Sequence, residues 1–133
     1  MSSYKALKSQ LSAVLWSVVI LVLCNMKVSS GSGPSFFEGF DKMVHLGLFY
    51  ILCILSIFGS ISYRQSYRLP ISTILKLLIL SIALGGGIEI LQWKIFTYRS
   101  AEWWDFICDI TGSVMAVVTY LLWHTKEYTH EKA

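Results

Sequence analysis

Charged residues along this chain are separated by long apolar runs. No Asp, Glu, Lys or Arg lies between Lys8 and Lys27, and none lies between Lys42 and Arg64, where His45 is the one group that titrates near neutrality. From Leu69 to Trp93 the charges are Lys76 and Glu89, joined by the polar Gln92; from Trp104 to Trp123 they are Asp105 and Asp109. A helix rises about 1.5 Å per residue, so about 20 residues cross the hydrocarbon core of a bilayer. The pattern therefore predicts an all-α membrane bundle of four transmembrane helices, near 8–27, 42–62, 70–94 and 103–123. The runs are continuous and do not alternate with period two, which disfavours a membrane barrel.

Local punctuation fits these boundaries. The stretch 29–34, Ser-Ser-Gly-Ser-Gly-Pro, is a loop by composition. Asp41 is placed to cap the second span, Pro70 suits the first turn of the third, and the fourth opens with acids, which suits a helix N-terminus. The first span has a rival as a signal peptide, with Lys5 and Lys8 as its basic region and Val28-Ser29-Ser30 as a loose cleavage site. The apolar run is long for that role, so a retained span is expected.

Composition narrows the classes. Of 133 residues, 55% are hydrophobic and 14% charged, and the mean hydropathy is +0.60. Such a chain is too apolar for disorder and carries too little charge to cover a soluble globule. One domain, 1–133, fits the length. The net charge of +3 and the lack of a basic cluster argue against nucleic acid as a partner. Cys24, Cys53 and Cys108 are odd in number, lie in apolar runs and include no Cys-x-x-Cys pair, which removes a disulfide scaffold and a thiolate metal site.

Lys and Arg in the loops set the orientation. With both termini inside, Lys5, Lys8, Arg64, Arg68, Lys76, Lys126 and Lys132 lie inside and Lys27, Lys42, Lys94 and Arg99 outside. An N-in, C-in chain is thus expected, with Tyr63, Tyr67 and Trp123 at the inner belt and Trp93, Tyr98, Trp103 and Trp104 at the outer one.

Successive spans of alternating direction bring the costly polar residues to one depth. Asp41, Lys42 and His45 open the second span, Glu89 and Gln92 close the third, Arg99 is in the next loop, and Asp105 and Asp109 open the fourth. Gly85, Glu89 and Gln92 share one helical stripe; Asp105, Asp109, Gly112 and Ala116 share another. Small residues on both stripes permit close packing, so the acids are expected to face the bundle interior. A carboxylate at the centre of a span costs about 2.5–3.5 kcal/mol on insertion scales, and less near the surface. A layer of four carboxylates with a His and an Arg calls for a cause.

Asp41-Lys42-x-x-His45, Glu89-x-x-Gln92, Arg99 and Asp105-x-x-x-Asp109-x-x-Gly112, in this order over about residues 41–116, resemble the pattern of the VanZ-like family. That resemblance implies a small polytopic protein of the bacterial cytoplasmic membrane. The family's founding member is linked to resistance to the glycopeptide teicoplanin. Asp109 stands where the family pattern has Asn, adding a negative charge that calls for a proton or a cation. Thr97-Tyr98 stand where Pro-Gly often precedes the Arg.

Each group also has a plain structural role open to it. Asp41 and Asp105 suit helix N-termini, Lys42 an interfacial anchor, Arg99 a loop charge. His45 suits a hydrogen-bonded tie between the second and fourth spans, and Glu89 and Gln92 suit interhelical ties. Cys53 and Cys108 suit the core. Four functional classes follow. The first, favoured, is a non-enzymatic binding module. An outward pocket of Asp41, Lys42, His45, Glu89, Gln92, Arg99, Asp105 and Asp109 would take a lipid-linked phosphate or peptidoglycan precursor, with Lys42 and Arg99 meeting the anion and rim aromatics the acyl or sugar part. The second is an embedded enzyme, with His45 and Glu89 or Asp109 as an acid–base pair. A divalent cation on the same groups could act there as a Lewis acid. Against that, no nucleophile stands in an activating context and the spacing matches no metal signature, so no cofactor or resident metal is expected. The third is transport or proton relay, for which only Ser56, Ser81, Ser113 and Thr119 lie below the layer. The fourth is a satisfied network that merely fixes the bundle.

Overall fold

A computed structural model describes residues 2–26, 39–96 and 102–131, and these are mostly helical, with no strand among them. Five helices follow in order: α1 (Ser2–Ser9), α2 (Leu11–Asn25), α3 (Phe40–Arg64), α4 (Ile71–Lys94) and α5 (Trp103–Glu131). Three stretches are long and apolar enough to cross a membrane: Phe40–Arg64, Ile71–Lys94 and Trp103–His124. They match the second, third and fourth expected spans to within two residues at their starts.

The first expected span is divided. Its apolar part, α2, has 15 residues, about 22 Å of helix, short of a core about 30 Å thick. Gln10 separates α1 from α2, yet the helical bonding runs past it, from Gln10 N–H to Ala6 O at 3.1 Å and from Val14 N–H to Gln10 O at 3.0 Å. The break has a cause in α3. The Gln10 amide donates to Ser56 O at 3.1 Å and Ser60 Oγ at 3.0 Å. A Cβ on Gly59 would lie 2.6 Å from Ser9 O, so the α1–α2 junction rests directly on α3.

The caps differ in detail from the sequence expectation. Gly39, in a left-handed conformation at φ 89°, is the N-cap of α3, and Asp41 falls within the first turn. Gly tolerates that φ where Asp would be strained. Pro70 is the residue before α4, its carbonyl accepting from Thr73 and Ile74.

Paired positions give the helix directions. Lys42 meets Asp105, His45 meets Asp109 and Tyr50 meets Thr119, so α3 and α5 run parallel. Gly85 faces Asp109 and Ser81 faces Ser113, so α4 runs against them. Gln10 on Ser56 and Trp16 on Leu48 set α2 antiparallel to α3. The tightest approach is α3 on α5. A Cβ on Gly112 would collide with Leu46 O and come within 3.1 Å of Tyr50 N. Backbone contact of this kind is how helices associate without a hydrophobic drive between them.

Two apolar clusters fill the bundle. Ala13, Ile20, Cys24, Leu48, Phe49, Leu52 and Ile88 join α2, α3 and α4. Cys53, Ile57, Leu69, Ile74, Ala116 and Tyr120 join α3, α4 and α5. Outward faces are also apolar, with Ile79, Leu80, Val118 and Leu122 exposed. A soluble domain would rarely show so large an apolar exterior, and contact with a lipid bilayer accounts for it.

Candidate functional site

The starts of α3 and α5 and the ends of α2 and α4 lie at one end of the bundle, and the polar residues gather there. His45 and Asp109, 1% and 0% exposed, are joined across α3 and α5 by His45 Nδ1 and Asp109 Oδ1 at 2.9 Å. With the carboxylate ionised, the ring nitrogen is the donor. Asp109 has this position because Gly85 on α4 leaves room; a Cβ there would lie 2.8 Å from Asp109 Oδ2.

One turn nearer the helix starts, Lys42 spans two acids. Its Nζ lies 2.7 Å from Glu102 Oε2 and 3.4 Å from Asp105 Oδ1. Asp105 is buried at 2% exposure, whereas Asp41 is exposed. One ligating atom each from Asp41, His45 and Asp105 lies within 4.8 Å of the others, which makes these three the candidate metal ligands among the described residues.

Gln92 is buried, and its amide donates to Cys24 O at 2.8 Å, tying the end of α4 to the end of α2. Below the layer, Ser81 and Ser113 share a 2.7 Å hydrogen bond, and Ser113 Oγ donates to Asp109 O at 2.9 Å. Polar groups therefore continue from Asp109 one turn deeper, between α4 and α5.

Glu89 is half-buried. It opens onto a pocket of about 500 Å³ between α4 and α5, lined by Gly86, Glu89, Ile90, Trp93, Trp103 and Phe106. Trp103 and Phe106 meet edge to face at 6.4 Å. The pocket is an aromatic slot with one carboxylate at its inner side. Glu89 Oε1, Gln92 Oε1 and Asp109 Oδ2 are buried and lack a hydrogen-bond partner among the described residues.

Of the eight candidate residues, the bundle brings together Asp41, Lys42, His45, Glu89, Gln92, Asp105 and Asp109; Arg99 lies outside the described residues. Sequence reasoning missed two participants in the layer. Cys24 reads as one more apolar-run cysteine, and nothing in its neighbourhood announces that its carbonyl takes Gln92. Glu102 is a lone acid before the fourth span. Ser81 and Ser113, expected below the layer, prove to be paired. Of the pocket's aromatic residues on α5, Trp103 was expected at the interface and Phe106 was not singled out. No protein-family model matches the chain, and no curated protein or solved structure matches it either.

Proposed function

We propose that the chain is a VanZ-like binding protein of the bacterial cytoplasmic membrane, four-spanning with both termini inside, that holds a lipid-linked envelope precursor at its outer end. The observation that carries this is the α4–α5 pocket, where aromatic walls meet a carboxylate with an unpaired buried oxygen. An amphiphile suits both parts. Its apolar portion lies along Trp93, Trp103 and Phe106, and its sugar hydroxyls or amines donate to Glu89. Lys42 and Arg99 stand as the basic groups for a phosphate. Holding a cell-wall precursor offers a route to resistance against teicoplanin-type glycopeptides. In this reading the first span is α1 and α2 taken together, with helical hydrogen bonds running past the break at Gln10.

The test is photocrosslinking in native membranes. A photoactivatable residue placed at Ile90, on the pocket wall, captures a lipid-linked molecule; the same residue at Ile79, on the outward face of α4, captures bulk phospholipid. Identical phospholipid adducts at both positions contradict the proposal.

An embedded enzyme is the alternative, and one arrangement favours it. Asp109 holds His45 by Nδ1, the orienter-and-base pairing of acid–base catalysis. In that case His45→Gln abolishes turnover of a lipid-linked substrate and leaves binding of the amphiphile intact.

A further inference from the structure

We infer that Asp41, His45 and Asp105, at the joint N-terminal end of α3 and α5, form a binding site for one divalent metal cation. One nitrogen of His45 and one carboxylate oxygen from each Asp lie within 4.8 Å of one another. That spread is close to the span across a cation whose donors sit at about 2.0–2.4 Å. Two of the three ligands, His45 and Asp105, are buried. The i, i+4 spacing of Asp41 and His45 puts both on one face of α3, turned to Asp105 on α5.

A separate observation shows what this layer lacks. Asp109, which holds His45 through Oδ1, is fully buried and keeps Oδ2, against Gly85 on α4, without a partner among the described residues. Gln92 Oε1 is in the same condition. Gln92 Oε1 can only accept, and the same holds for Oδ2 of an ionised Asp109. A buried layer with acceptors to spare is short of a positive or donating species, and leaving such atoms unmet is costly. Lys42 covers only part of the deficit, because its ammonium sits closer to Glu102 than to Asp105.

The donor set, one imidazole with carboxylates, suits Mn²⁺ or Zn²⁺. Asp109 supplies the outer support that a metal-bound His ordinarily has, a carboxylate holding its ring. With Nδ1 held by Asp109, Nε2 is the ring nitrogen left to the cation. These ligands come from α3 and α5 and not from the α4–α5 pocket, so the cation site does not rest on the ligand proposed for that pocket.

The experiment uses Mn²⁺ alone as the probe. Chelator-stripped full-length protein in lipid nanodiscs is titrated and followed by electron paramagnetic resonance. The expected result is one Mn²⁺ per chain, nitrogen coupling in the pulsed spectrum that is lost in His45→Gln, and affinity at least tenfold lower in Asp41→Asn and Asp105→Asn but unchanged in Gly87→Ala. Asp41 is exposed, so Asp41→Asn decides the matter even where a buried variant does not fold. No saturable binding at millimolar Mn²⁺, binding without nitrogen coupling, or undiminished affinity in Asp41→Asn overturns the site.

Discussion

His45 on α3 and Asp109 on α5 meet at 2.9 Å with almost no exposure to the surroundings. The pair is a fully buried tie between two parallel helices, at the level of the polar layer. Replacing Asp109 with Leu leaves the His45 N–H buried and unpaired. The expected loss is about 1–3 kcal/mol of stability, read as thermal unfolding in detergent. Asp109→Asn keeps an oxygen that accepts from Nδ1, so its midpoint stays near that of the wild type. Equal destabilisation by both variants would contradict the pairing.

Gly112 and Gly87 make opposite predictions for the same substitution. Gly112→Ala drives a Cβ into the Leu46 carbonyl and against the Tyr50 backbone. Backbone cannot move aside, so α3 and α5 separate, at a cost of about 1–3 kcal/mol. Gly87→Ala meets nothing within 4 Å and gains helix propensity, up to about 1 kcal/mol. Unfolding midpoints of the two variants, measured side by side, are expected to move in opposite directions.

Tyr120 secures the turn between α3 and α4. Its hydroxyl donates to Tyr67 O at 2.7 Å and accepts from Leu69 N–H at 2.9 Å. Tyr120→Phe removes both and leaves the Leu69 amide buried without its partner. The expected cost is about 1–3 kcal/mol, together with faster hydrogen exchange at Leu69. Unchanged exchange there would show that the hydroxyl does not hold the turn.

Gln10 and Gln92 anchor the two ends of the first segment, on α3 and on Cys24 respectively. The double variant Gln10→Ala, Gln92→Ala is expected to release α1 and α2 while leaving α3–α5 assembled. Limited proteolysis would then cut near residues 9–11, with α3 to α5 surviving as one fragment. Resistance equal to the wild type would mean that apolar packing at Ala13 and Ile20 suffices.

Much of the fold was legible because lipid imposes simple rules. Runs free of charge placed the starts of α3, α4 and α5 to within two residues, and alternating direction alone required His45, Glu89 and Asp109 to share a level. The break at Gln10 was not legible, because it answers to Ser56, Ser60 and Gly59, residues about fifty positions away. Pairing within the layer was hidden for the same reason. Spacing shows that Asp105 and Asp109 share a face, but only the rotation of α5 about its axis gives Asp109 to His45 and Asp105 to Lys42. The role of Cys24 was hidden further, since its carbonyl meets Gln92 only because the end of α2 lies against the end of α4. The pocket followed from Gly86, whose missing side chain opens space that no motif records.

The central claim is that Glu89 and its aromatic pocket hold a lipid-linked molecule. It is tested most directly by native mass spectrometry of protein released gently from its own membranes. Wild type is compared with Glu89→Gln, which removes the carboxylate, and Gly86→Leu, which fills the pocket, each at equal folded abundance. The account predicts an added mass on wild type, beyond bulk phospholipid, that disappears in both variants. A bare mass for all three proteins, or the same added mass retained in both variants, would contradict it.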